Sequence, residues 1–176
     1  MIDPTAFIHP KAHVDEDVTI GPRTKVWQFA SITRGTVLGE DCNVAPFAVL
    51  DGPHFGDRCI ISMHVAMGPG FYIGNDVFIG PGVVFANDLW PSVSKEGWDA
   101  QKFKDGFCTI RVWHGASIGA NAVILPGVVI GERAVIAANS TVGGNIPDDH
   151  VHCRNGVVVP ITKFGARRRM HEADPA

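Results

Sequence analysis

The segment IGNDVFIGPGVVFANDLWP, running from Ile73 to Pro91, begins as a hexapeptide repeat and ends by breaking it. Ile73, Ile79 and Phe85 stand six residues apart, and Val77 and Val83 follow the first two of them by four. After Asn87 and Asp88 the pattern stops, and it resumes only at Val112. A regular array that pauses once, at an Asn-Asp pair followed by Trp90 and Pro91, points to a scaffold with a site at its interruption.

Working outward from this segment, the same period covers most of the chain. Towards the N-terminus an aliphatic residue recurs at every sixth position from Ile2 through Ile8, Val14 and Ile20 to Leu50. One residue is lost near Pro53, and the register restarts at Phe55. Beyond the interruption it runs from Val112 through Ile118, Ile124, Ile130 and Ile136 to Val142. In the N-terminal repeats from Ile2 to Val44 the residue four places on is small or β-branched, as at Ala6, Val18, Thr24, Ala30, Thr36 and Ala48.

A period of six fits neither the helical 3.6 nor the strand period of 2. It fits a short strand and a tight turn, repeated. Gly next to the aliphatic residue, as at Gly80 and Gly119, supplies turn conformations at little steric cost. Three such strands complete one coil of a triangular prism, and parallel coils stack about 4.8 Å apart, so about seven coils stand roughly 30 Å tall. The expected fold is all-β: a parallel β-helix over 1–146, an excursion over 88–110, and a cap with a basic tail over 147–176.

Composition limits the functions open to such a chain. Of its 176 residues 45% are hydrophobic and 19% charged, enough for one real core. The net charge of −3 carries no nucleic-acid footprint. No apolar run approaches the roughly 20 residues of a membrane span. The opening MIDPTAFIHPKAH lacks the basic and apolar regions of a signal peptide. A cytoplasmic protein with neither nucleic-acid nor membrane partners is expected. The four cysteines, Cys42, Cys59, Cys108 and Cys153, form no CxxC pair and match no zinc spacing. Cys42 and Cys59 fall in inward slots and read as small buried hydrophobes.

Three stretches carry a resemblance. KVWQFASI (25–32), VVFANDLWP (83–91) and ASIGANAVILPGVVIGERAVIAANSTV (116–142) resemble the hexapeptide-repeat acyltransferases, and within them the N-acetyltransferases of nucleotide-linked 3-amino sugars. The first two stretches are the more discriminating. The resemblance implies a left-handed β-helix, a homotrimer with active sites in the clefts between prisms, and acetyl-CoA lying along the coils as co-substrate. It implies a role in bacterial surface polysaccharide biosynthesis and no metal. Two segments depart from the family. VHCRNGVVVP (151–160) stands where the family closes with a VxGNPAR-type segment near the CoA nucleotide. Met63 and His64 stand where the family often has two Asn.

Acetyl transfer to an amine needs a neutral amine, a thioester and donors for the developing oxyanion. Asp88 can accept a hydrogen bond from the amine and orient it, while Asn87 can hold the sugar or the thioester carbonyl. The alternative is an Asn-Asp turn opening a loop. His64, in an outward slot, can act as a general base from a neighbouring subunit, or it is an exposed turn histidine. His114 is a lesser candidate of the same kind. Trp27 and Gln28 face outward, towards the nucleotide-sugar or towards trimer packing. Trp90, Trp98, Phe103 and Phe107 would let the excursion wall off the site. The turns around Ala120 and Ala138 would face pantetheine, as in the family, and Arg133, Arg154 and Lys163 would meet the CoA phosphates. Arg167, Arg168 and Arg169 read as a solvated tail.

Two other functions compete. A γ-class carbonic anhydrase-like protein would share the fold and hold zinc through three histidines. Its pair of histidines five apart is missing, because Gly119 follows His114 at that spacing. A non-enzymatic binding solenoid would not need a long aromatic excursion.

Overall fold

The computed structural model describes residues 1–88, 91, 93 and 109–162. Its strands are two or three residues long and alternate between three walls. The first wall stacks Phe7–Ile8, Lys25–Val26, Asn43–Val44, Ile60–Ile61, Phe78–Ile79, Ser117–Ile118, Val135–Ile136 and His150–His152 in parallel. The second stacks seven strands from His13–Val14 to Thr141–Val142, and the third stacks six from Thr19–Ile20 to Val129–Ile130. This is the parallel β-helix expected from the repeats, consistent with the left-handed form.

Each strand turns its aliphatic residue inward. Val26, Ile32, Leu38, Val44, Leu50, Ile61, Ile79, Ile118 and Ile136 are all buried to 1% or less. The small residue four places on is buried at the corner, as at Ala30, Thr24, Thr36 and Ala48. Cys42 and Cys59 occupy such corner slots and are buried and free. Contact with Cys42 and burial hold the Cys59 thiol above its ordinary pKa, so it stays protonated and is no nucleophile. The first coil has no neighbour on one side, and there Ile2 is 45% exposed while Ile8 and Val14 are half-buried.

Two irregularities are absorbed at the corner between the second and third walls. Val37 pairs with His54 and Asn43 with Ile60, 17 positions apart, where Tyr72 pairs with His54 at 18. Gly52, at a φ of 96°, bridges the shortened corner, and the inward residues stay in register. The excursion leaves from this same corner after Val84–Phe85 and returns at Ile110–Val112. Ile73 then pairs with Val112, 39 positions on, and the stack continues undisturbed. Trp90, Trp98, Phe103 and Phe107 lie outside the described residues.

The C-terminal cap begins as one more rung of the first wall. His150–His152 continues it in parallel with Val135–Ile136, and Val158–Pro160 turns back antiparallel. Val151 and His152 close the end of the core and are buried. Lys163 and the run Arg167 to Arg169 lie outside the described residues. Among the described residues no helix is long and apolar enough to cross a membrane.

Candidate active site

Asn87 and Asp88 end the second wall where its corner opens into the excursion, and both are half-buried. Asn87 is seated over the coil below. Its Nδ2 lies 2.8 Å from where a Cβ on Gly68 would stand, so the amide packs over that glycine. The pair follows the strand Val84–Phe85 by two and three residues, where the excursion leaves.

His64 lies on a different corner, between the first and second walls. Its backbone is left-handed, with φ of 60°, as are those of Phe29 and Phe47 below it at 63° each. The three rings form a column. Phe29 stacks on Phe47 at 5.1 Å, Phe47 on His64 at 5.4 Å, and Lys11 Nζ lies 5.7 Å from the Phe29 centroid. Bulky residues at positive φ cost about 1 kcal/mol or more each, and stacking offsets part of that. The next rung is Gly82, also at positive φ, where the Asn121 side chain reaches to 2.3 Å of the position a Cβ would take. The His64 ring is thus exposed at a corner and stacked on the aromatic column, with no carboxylate partner among the described residues.

Ala120 and Ala138 lie on the same corner as His64, further along the prism and directly above one another. The Ala138 amide nitrogen is 2.5 Å from where a Cβ on Gly119 would stand, and the Ala120 nitrogen 2.7 Å from one on Gly80. Glycine at these positions lets the turns stack closely. Asn139 N donates to Ala120 O at 2.9 Å.

Trp27 stands at the start of this corner two coils below His64, 36% exposed. Its Nε1 donates to Asn43 Oδ1 at 2.8 Å, and its ring packs on Phe7 at 5.4 Å. Gln28 follows and is half-buried.

Arg133 is on the third corner, between the third and first walls. Its guanidinium donates to both carboxylate oxygens of Asp149 at 2.7 Å and to Glu132 at 3.0 Å. A phosphate would have to compete with those carboxylates. Arg154 is exposed in the turn of the terminal hairpin.

His114 has a structural task on that third corner. Its Nδ1 accepts the Asn75 amide at 2.8 Å. The same bond is made by Asp57 to Glu40 N, Asn75 to Asp57 N and Asp148 to Glu132 N. An accepting Nδ1 places the proton of the neutral ring on Nε2. The three histidines weighed for zinc are dispersed. His54 is on the outer face of the third wall, His64 and His114 on two separate corners.

One cluster was not expected from the repeat pattern. Tyr72, Arg111 and Trp113 meet on the outside of the third wall, beside the return of the excursion. A signal was available in the sequence: Trp113 stands in the slot that holds Gly39, Gly56, Gly74 and Gly131 in other coils.

Residues 114–144 match the model described as bacterial transferase hexapeptide (six repeats). The galactoside O-acetyltransferase of Lactococcus lactis is 32% identical over 146 residues, covering 78% of this chain and 64% of that protein. The bifunctional protein GlmU of Staphylococcus epidermidis is 32% identical over 146 residues, covering 81% of this chain but 29% of that protein. The chain therefore spans less than two thirds of these curated relatives. AntD, an N-acyltransferase from Bacillus cereus solved with dTDP and 3-hydroxybutyryl-CoA, shares the fold with a TM-score of 0.65 at 17% identity, over 89% of this chain and 92% of that one.

Proposed function

We propose that the protein is an acyl-CoA-dependent N-acetyltransferase acting on the amino group of a nucleotide-linked amino sugar, as a cytoplasmic homotrimer serving bacterial surface polysaccharide biosynthesis. The observation that carries this reading is the Asn87–Asp88 pair, half-buried just beyond the strand Val84–Phe85 at the corner from which the excursion leaves. The Lactococcus relative, named for acetyl transfer to a galactoside, supports the acetyl group and the sugar. The amino sugar rests on the resemblance of VVFANDLWP.

The neutral amine attacks the thioester carbonyl, the C–N bond forms and the C–S bond breaks. Asp88 accepts a hydrogen bond from the amine and aims its lone pair. The Asn87 amide donates to the sugar or to the carbonyl oxygen as it gains charge. The amine proton leaves to the CoA thiolate, directly or through His64 of a neighbouring subunit. Pantetheine lies along the stacked turns of Ala120 and Ala138. Trp27 and Gln28 meet the nucleotide-sugar, and Arg154 and Lys163 meet the CoA phosphates, with Arg133 available once Asp149 yields. No step needs a metal.

Release of CoA thiol from acetyl-CoA, screened against nucleotide-linked amino sugars, tests the proposal. Asp88→Asn and Asn87→Ala are each expected to lower kcat by about 10²-fold or more. His64→Asn is expected to cost as much only if the ring carries the proton. Absence of thiol release with every amine sugar would refute the reading.

A further inference from the structure

We propose that the outer face of the third wall binds a nucleoside diphosphate, with Arg111 on the phosphates and Tyr72 and Trp113 as the stacking surface for the base. The inference rests on the transferase reading only for the source of the nucleotide, since a nucleotide-sugar and CoA both carry this group.

The strand register assembles the face. His54 pairs with Tyr72, Tyr72 with Arg111, and Arg111 with Val129, so their outward side chains form one column, and it holds no carboxylate. Tyr72 is 41% exposed. The Arg111 guanidinium lies 5.7 Å from the Tyr72 centroid and 5.3 Å from that of Trp113, and the two rings meet edge-on at 6.3 Å.

Arg111 differs from the other arginines of the walls. Arg23, Arg34, Arg58 and Arg133 each hold a carboxylate at 2.9 Å or less. Among the described residues Arg111 has no carboxylate; two aromatic rings take that place. The planar fork keeps its N–H donors for an anion, and the rings hold it in position without neutralising it.

Trp113 interrupts a run of glycines in this slot, Gly21, Gly39, Gly56 and Gly74 before it and Gly131 after it. In its slot Gly39, Gly56 and Gly74 each leave room for the next coil; a Cβ on Gly56 would lie 2.0 Å from Asn75 Oδ1. The glycine lets a side chain of the coil above cap the following amide, as Asp57 caps Glu40 N and Asn75 caps Asp57 N. Among the described residues the His114 amide receives no such cap. The chain therefore gives up a corner hydrogen bond in the one coil where an indole is placed beside Arg111. Local rules broken without a local gain are the mark of a functional position. His114 adds a donor, because its Nδ1 is occupied by Asn75 N and its Nε2 bears the proton.

The test is titration of the full-length protein with UDP, dTDP and CoA, followed by calorimetry. At least one should bind, and Arg111→Met should weaken it about tenfold or more, the usual worth of charge-assisted bonds to phosphate. Trp113→Leu should weaken the same ligand, while Arg23→Met, on an already paired arginine, should leave it within about twofold. Dependence of UDP or dTDP on Arg111 assigns the face to the nucleotide-sugar, and dependence of CoA assigns it to the co-substrate. If none of the three binds, or if Arg111→Met binds like the wild type while its melting temperature falls, the cluster is only structural and the inference is overturned. Thiol release separates the two proposals. Arg111-dependent nucleotide binding without thiol release sinks the transferase alone. Thiol release with Arg111-independent binding sinks this site alone.

Discussion

At the residue scale, glycine and its acceptor act as one unit at the third corner. The Asp57 amide donates to Asn75 Oδ1 at 3.0 Å, across a space that a Cβ on Gly56 would fill at 2.0 Å. Gly56→Ala should therefore overpack the corner and break the bond, costing about 2 kcal/mol. That lowers Tm by about 4–8 °C at fixed protein concentration. Adding Asn75→Ala should bring the double variant closer to wild type than the sum of the singles, because both act on one contact. Gly144 has nothing within 4 Å of its Cβ position, so Gly144→Ala should leave Tm nearly unchanged. Equal losses at the two glycines would contradict this account. The same scale explains His114, whose ring does the work of an Asn or Asp side chain in the column.

At the element scale, the third corner carries a ladder of ion pairs between consecutive coils. Arg23 holds Asp41, Arg58 holds Asp76 and Arg133 holds Asp149, each through paired hydrogen bonds. The hydrogen bonds from these guanidinium groups keep all three carboxyls below their ordinary pKa. A carboxyl with a depressed folded pKa lends stability above its unfolded value and loses it as pH falls through the folded one. Tm should thus fall on acidification below about pH 4, and the triple change of Asp41, Asp76 and Asp149 to Asn should flatten that fall. The pairs are exposed, so about 1 M salt should shrink the difference between the two proteins. An acid limb identical in both would remove the ladder from the account.

At the scale of the whole molecule, one prism holds the candidate groups apart. Asn87 and Asp88 occupy one corner, while His64, Ala120 and Ala138 occupy another. Exposed apolar side chains flank the His64 corner on both walls: Ile60 and Phe78 on the first, Val49 and Val84 on the second, each 40–45% exposed. A second copy would cover them and bring its own Asn87–Asp88 corner near His64. Sedimentation should give three times 18.9 kDa, and thiol release should fall away on dilution to the monomer. Mixing inactive Asp88→Asn chains with inactive His64→Asn chains should restore partial activity if the site is shared. An active monomer would put the whole site in one chain.

The period of six determined the walls, the inward column and the place of the interruption, because a strand-and-turn repeat has only one way to bury an aliphatic residue at every sixth position. That is why Ile79, Val83 and Phe85 are legible in the sequence, and why Asn87 and Asp88 stand out as the end of the pattern. The corners were not legible in the same way. Side chains there are read by the coil above or below, 17, 18 or 39 residues away. Only stacking showed that His64 crowns an aromatic column, that Arg133 is held by Asp149 and that His114 caps an amide. Only stacking, likewise, brought Arg111 between Tyr72 and Trp113, since their neighbourhood depends on where the excursion returns the chain and not on the repeat itself.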